Sequence, residues 1–298
     1  MVLVSTGFAW SQTGGPPPYP MAGPPRPGSI NYLEGQASIG TMRLTPRAVG
    51  SAVLDAGQTL TTQAGKVEIL LTPGVFLRIA DNSSVQMVSP DLVNTRIQLN
   101  KGRALVEVID IRSQNDIRID ENGASTKLLK NGLYEFDADH AQVRIFKGKA
   151  EATMANQKVT LGENHEVTLS AGVKLKSQRF DPKMFEDDFY RWASLRSGYL
   201  SEASVSAARA YMGSGPGVFG PGWGGFGWYW DPWFGVYTFV PAGGVFYGPF
   251  GWSFYSPFAV YSSPFFYHPG IAHGFGDFHY PYGHGFGHPG FRGGRRGR

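Results

Sequence analysis

The chain has 298 residues, 42% hydrophobic and 17% charged, with a formal net charge of +4, and its charged share falls below the roughly 25% of an average soluble domain. It has no cysteine, which excludes disulfide frameworks, thiolate metal sites, cysteine nucleophiles and the lipidated cysteine of a lipoprotein. The positive excess sits largely in Arg292, Arg295, Arg296 and Arg298, so the body of the chain has no broad basic face for nucleic acid.

Residues 1–11 are apolar and small and end at Ala9-Trp10-Ser11, a step that fits signal-peptide cleavage. They read as the remnant of a secretory signal, with an ordinary flexible N-terminus as the alternative. Residues 12–29 are rich in proline and glycine and read as a polyproline spacer. No window offers the 18 or so uninterrupted apolar residues of a membrane-spanning helix.

From residue 30 to 178 the hydrophobic pattern has period two. Val67, Ile69 and Leu71 alternate with polar residues up to the turn Thr72-Pro73-Gly74, and Val75, Leu77 and Ile79 follow it. Similar short runs end at Asn100-Lys101-Gly102, Glu121-Asn122-Gly123, Lys130-Asn131-Gly132 and Lys147-Gly148. Strands of this length with turn signals every 8–12 residues or so predict a twisted antiparallel sandwich, barrel or solenoid. No helical pattern lies between the strands, which argues against a parallel α/β sheet.

At Asp181 the period becomes helical. Asp181 reads as the N-cap, Pro182 as the first helical residue, and Phe185, Phe189, Trp192, Tyr199 and Ala203 as one apolar stripe. One amphipathic helix over 181–212 is predicted, with a kink at Gly198 as the alternative. Beyond it, residues 213–298 are dominated by Gly, Pro and aromatic side chains, and Asp231 and Asp277 are the only formal charges before Arg292. Because aromatic density is high and charge low, this tail is not expected to be uniformly disordered. Short strands are predicted in 233–239 and 251–255, paired with each other and lying on Phe185, Phe189 and Trp192, with coil beyond His268.

The segments Gly57 to Leu71, Gly74 to Ile79, Leu99 to Val106 and Val143 to Ala150 resemble the motifs of FecR-type periplasmic domains. That family pairs a G-x-x-L-x-T-x-x-G-x-A-x-L opening with a G-x-x-L-x-L strand, an L-x-x-G-x-A/V turn and a late V-x-V-x-x-G-x-V repeat. The resemblance covers about half the chain. It implies a twisted all-β fold with solenoid-like regularity, and a mainly β protein overall. The best-known members are membrane-anchored anti-sigma regulators with a sigma-binding segment and a transmembrane helix ahead of the domain. Neither feature is read here, so the resemblance points to the stand-alone exported FecR-domain proteins, some of which carry an acidic Trp-containing helix and an aromatic tail.

Little in the sequence speaks for catalysis. There is no Gly-x-Ser-x-Gly elbow, no P-loop, and no G-x-G-x-x-G between a strand and a helix. Asp137, Asp139 and His140 could hold a hard cation but are also good turn residues. His165 lacks the His partner of a zincin helix, and Asp110, Asp116, Asp120 and Glu121 read as solvated edge charges. His268, His273, His279, His284 and His288 are the candidate metal ligands, suited to nickel, copper or zinc. Trp223, Trp228, Trp230, Trp233 and Trp252 are the candidate sugar-stacking rings: exposure on a flat face favours carbohydrate, burial in hairpins favours structure. The terminal arginines resemble an RGG segment and could meet an anionic surface. The expectation is a non-enzymatic, exported envelope protein with no cofactor, whose partners are envelope proteins, cell wall or polysaccharide. Carbohydrate binding is the alternative, and anti-sigma signalling the third reading.

Overall fold

A computed structural model describes residues 22–170, 172–214 and 227–263. The signal remnant, Trp223, the five tail histidines and the four terminal arginines lie outside the described residues. Among the described residues no helix is long and apolar enough to cross a membrane.

Fifteen strands form one sheet: β1 (Ile30–Ile39), β2 (Met42–Arg43), β3 (Thr59–Thr72), β4 (Val75–Ile79), β5 (Ser84–Pro90), β6 (Asn94–Lys101), β7 (Arg103–Val108), β8 (Asp116–Glu121), β9 (Ala124–Leu128), β10 (Gly132–Asp137), β11 (Gln142–Lys147), β12 (Ala150–Met154), β13 (Gln157–Leu161), β14 (His165–Thr168) and β15 (Gln178–Arg179). Their order is β13-β12-β9-β8-β6-β5-β3-β4-β7-β10-β11-β14-β15, with β1 added to β3 and β2 to β1. Ala150 and Ala152, near one end of this path, share a single apolar core with Val143 and Ile145 near the other. The sheet therefore folds over on itself into two layers without closing as a barrel. The predicted inward residues Val67, Ile69, Leu71, Leu77, Ile79 and Ile145 all lie in this core and are fully buried.

The pairing is antiparallel with one exception. β6 and β8 run parallel, Ile97 opposite Ile119, because the chain between them passes through β7, which pairs with β4 and β10, before returning beside β6. At the predicted Asn122-Gly123 turn both residues have positive φ, 48° and 76°, as a two-residue hairpin of the primed type requires. Gly132 is needed for another reason: a Cβ there would lie 2.2 Å from the Lys147 carbonyl oxygen. The expected spacer is also shorter than predicted. Gly23 N donates to Gly50 O at 3.0 Å and Gly28 N to Leu70 O at 2.7 Å, so the β domain reaches back to Gly23.

The helix begins later than its sequence signals indicate. Asp181 does act as a cap, accepting from Lys183 N at 3.1 Å, but it caps a 3-10 turn, Pro182–Phe185. The α-helix proper, α1, is Asp188–Ser214, and Asp187 starts it by accepting from Tyr190 N at 3.0 Å. Helix α1 runs through Gly198 without a break; a Cβ at that position would meet the Trp252 ring at 3.1 Å. Its buried face also differs from the predicted stripe. Tyr199 is 45% exposed, while Phe189, Ala193, Arg196, Ser197, Leu200, Ser201, Ala203 and Ser204 face inward. Small and polar residues predominate there because α1 lies on a sheet face that is itself partly charged.

The tail forms strands in both predicted windows but pairs them differently. β17 (Val236–Val240) pairs with β16 (Gly227–Asp231), and β19 (Ser253–Tyr255) with β18 (Val245–Tyr247); a short helix, α2 (Pro257–Ser262), follows. Each hairpin closes locally. In the first, the Asp231 carboxylate accepts from Trp233 N and Phe234 N at 2.8 and 3.1 Å, and Gly235 carries a φ of 60°. The hairpins pack chiefly on Leu200 and Ala203 of α1 and on Leu70, Phe76 and Ile109 of the sheet. Of the expected aromatic stripe, Phe189, Phe185 and Trp192 join a separate cluster that includes Phe250.

Candidate functional site

The outer face of β3, β4, β7 and β10 carries the densest chemistry in the described residues. In register across β3 and β4 stand Glu68 and Arg78, and Glu107 on β7 lies opposite Phe76. Period two places these charges on the face opposite the main core, and α1 covers them. Arg78 Nε donates to Glu68 Oε2 at 2.9 Å, and Arg78 Nη1 lies 2.7 Å from Glu107 Oε2; all three side chains are fully buried. Helix α1 supplies Arg196, 3.1 Å from Glu68 Oε1 and stacked 3.9 Å from the Tyr32 ring, and Ser197, which donates to Glu107 at 2.6 Å.

Burial opposes charge on every member of this cluster, and their partners decide the outcome. Although burial works against it, Glu68 has its carboxyl held below the ordinary range by Arg196 and Arg78. For Glu107 burial outweighs the pull of Arg78, and the carboxyl is pushed up. The network also fastens the tail. Asn31 donates to Glu68 Oε1 at 2.9 Å and to Tyr237 O at 2.8 Å, and accepts from Tyr237 N at 2.7 Å. Its amide thus takes the place of a neighbouring strand for β17, while the Tyr237 hydroxyl donates to Gly23 O.

At the start of α1 a second charged group opens to solvent. Arg103 pairs with Glu135 and Asp187, and Arg144 with Glu166 at 2.9 Å, its guanidinium 4.0 Å from the Phe185 ring. Arg103, Arg144, Phe185 and Asp187 line a cavity of about 360 Å³ together with Asp137 and His140. Asp137 accepts from His140 N at 3.1 Å and lies 2.9 Å from its Nδ1, while Asp139 accepts from Gly102 N at 3.0 Å. Asp137, Asp139 and His140 thus build the turn that the sequence allowed, and among the described residues no group of three or more ligating side chains could hold a metal ion. His165 stands on β14, its Nδ1 2.8 Å from the Glu163 carbonyl.

Of the four expected edge charges, Asp110 and Asp116 stay partly exposed, whereas Asp120 and Glu121 are buried. Asp116 pairs with Arg118 and Lys127 at 3.0 and 3.2 Å, Asp120 pairs with Arg96, and Asp110 lies 3.6 Å from Arg112. Glu121 is fully buried with neither carboxylate oxygen hydrogen-bonded. Topology buries Asp120 and Glu121: β8 lies between β6 and β9 rather than at an edge, and Glu121 shares the face of Ile117 and Ile119. Burial, reinforced by the charges of Asp137 and Glu135, pushes its carboxyl up to about 9. Because this folded value exceeds the ordinary 4.5, the contribution of Glu121 to stability is full below about pH 4.5 and is lost as pH rises toward 9. Glu121→Gln is therefore expected to melt like wild type near pH 4 and to be more stable by about 2–4 kcal/mol near pH 8.5, read by thermal melts across pH. Equal melting at both pH values would show that Glu121 ionises freely.

The tryptophans separate into two roles. Trp228 is half-buried against the hairpin core, Trp230 packs edge-on to Tyr237 at 5.1 Å, and Trp252 donates from Nε1 to Ser194 O at 2.9 Å. Trp233, at the tip of the first hairpin, is 84% exposed. Three of the four described candidate rings thus hold the hairpins on α1 and the sheet. The buried ladder escaped the sequence reading, although an arginine inside the apolar run Val75-Phe76-Leu77-Arg78-Ile79 was its visible signal.

Residues 58–151, from β3 to the start of β12, match the FecR protein family. Two crystal structures of a proposed anti-sigma factor from Parabacteroides distasonis ATCC 8503 are similar over 41% of this chain, at 14% and 13% identity and TM-scores of 0.36 and 0.35. The matches span 60% and 58% of those chains, and likeness at this level carries no functional argument. No curated protein matches the chain.

Proposed function

We propose that this chain, which carries a FecR domain, is a non-enzymatic, exported protein of the cell envelope that acts through contacts of its β domain and tail. The FecR domain supports envelope association. One observation carries the interaction reading: the charges of the densest cluster in the described residues are ion-paired with one another, Arg78 with Glu68 and Glu107 beneath α1 and Arg196 of α1 with Glu68. Charges so engaged brace an assembly and leave no poised acid or base facing a substrate. The packed tryptophans favour the same reading over sugar stacking, and Trp233 alone among the four keeps the geometry that stacking needs.

The test is fractionation of native cells expressing the gene with its upstream codons. The protein is expected in the periplasmic or secreted fraction with an N-terminus near Gln12. Recovery from the cytoplasm with Met1 intact overturns the export reading. Regulation of the anti-sigma type is the second reading, which the FecR domain favours equally. A gene deletion that changes transcription of a discrete regulon supports it, while an unchanged transcriptome leaves the structural role.

A further inference from the structure

Where β1 nears its end, the sheet displays polar side chains that the fold itself does not use. Ser38 on β1 lies opposite Arg43 on β2 and Thr61 on β3. Side chains directly opposite one another share a face, so these three form a row across the strands. A β-bulge between Gly35 and Ala37 sets Gln63 and Ala64 against Gln36 and brings the two glutamines beside that row. The bulge depends on its glycines, since a Cβ on Gly35 would fall 2.1 Å from the Ala64 carbonyl oxygen and one on Gly65 2.4 Å from Gln36 N. Together Gln36, Ser38, Arg43, Thr61 and Gln63 line a groove of about 250 Å³ floored by Ala37.

The side chains of these five polar residues make no hydrogen bond or ion pair with any other described residue. Their neighbour Lys66, in contrast, is held by Asp81 at 3.0 Å and Glu34 at 3.8 Å. The groove therefore presents a guanidinium fork, two primary amides and two hydroxyls, a close-set array of donors and acceptors with one positive charge and no acid. An apolar peptide finds no pocket here beyond Ala37. A phosphate group would meet a single cation. The array suits a ligand that combines many hydroxyl groups with a carboxylate.

We infer that this groove binds a short stretch of acidic, uronic-acid-type polysaccharide, its carboxylate on Arg43 and its ring hydroxyls on Gln36, Ser38, Thr61 and Gln63. The inference rests on reading the domain as an interaction module, and it gives that module a ligand class and a site away from the tail tryptophans. With no aromatic ring to stack on, the affinity for a trisaccharide is on the order of 1 mM, and a long polymer gains through repeated contacts.

The test is an amide NMR titration of the full chain with trigalacturonic acid, beside neutral maltotriose and glutarate, a dicarboxylate without hydroxyls. Shifts confined to residues 36–43 and 61–63 are expected with the acidic sugar, about tenfold weaker in Arg43→Gln and about threefold weaker in Gln63→Ala. Both substituted residues are solvent-exposed, so the rest of the spectrum reports an intact fold. Maltotriose is expected to bind at least about fivefold more weakly than the acidic sugar. No response at these residues, an unchanged response in Arg43→Gln, or equal binding of glutarate or maltotriose overturns the proposal. Fractionation of cells is a separate measurement, so failure of the export reading and failure of this one are distinguishable.

Discussion

Leu71→Asp, Leu77→Asp and Ile145→Asp are each expected to abolish the cooperative unfolding transition. All three residues are fully buried in the core between the layers of the sheet. Each substitution forfeits about 1.5–3 kcal/mol of apolar burial and places an unpaired carboxylate where its desolvation costs several kcal/mol more. Against a typical net stability of roughly 5–15 kcal/mol, that is enough to unfold a domain. Circular dichroism melts check it, with Leu195→Asp as the control, since Leu195 on α1 is 57% exposed and a change there is worth about 0.5 kcal/mol or less. If all three variants melted like wild type, the inward face would be misassigned, because a one-residue shift in register exchanges the two faces.

Arg78→Met is expected to cost about 3–5 kcal/mol, the usual penalty for removing one partner from a buried ion network. Arg78 is the hub between Glu68 and Glu107, and its guanidinium also lies 5.9 Å from the Phe76 ring and 6.0 Å from that of Phe250. Without it Glu68 keeps Arg196 and Asn31, whereas among the described residues Glu107 keeps only the Ser197 hydroxyl. The carboxyl of Glu107, already pushed up from 4.5 by burial, then moves further in the same direction. A carboxyl raised in the folded state stabilises below its unfolded value and loses that stability as pH rises through its folded value. The loss in Arg78→Met should therefore be smaller near pH 4.5 than near pH 8, and Glu107→Gln in the same background should remove the difference. Urea midpoints at the two pH values measure it. Equal midpoints for wild type and Arg78→Met would mean that the ion pairs of Arg78 add no net stability.

Local pattern was sufficient wherever a structure depends on neighbours in the chain. Alternation along Val67-Ile69-Leu71 and Val75-Leu77-Ile79 identified the core face, Asn122-Gly123 its turn, and the change of period after Asp181 the helix. The tail windows 233–239 and 251–255 held strands because aromatic and β-branched side chains suit a half-buried pleat, whatever the surrounding glycine content. The partners of those strands depended on the tightest available closure, which Asp231 and Gly235 provide for β16 and β17.

Only the tertiary structure decided what covers the second face of the sheet. Period two says that Glu68, Arg78 and Glu107 share a face opposite the core, but it reads that face as solvated, because a charge next to water and a charge beneath a helix have the same spacing. Packing of α1 turned it into a buried ladder and made Arg196, Ser197, Leu200 and Ser204, rather than Tyr199, the inward side of the helix. The parallel pairing of β6 with β8 likewise put Glu121 inside, where its position on a short strand suggested an edge. Chain-local periodicity carries face and turn; burial of the opposite face comes from contacts distant in sequence, such as Asn31 with Tyr237 and Glu68 with Arg196.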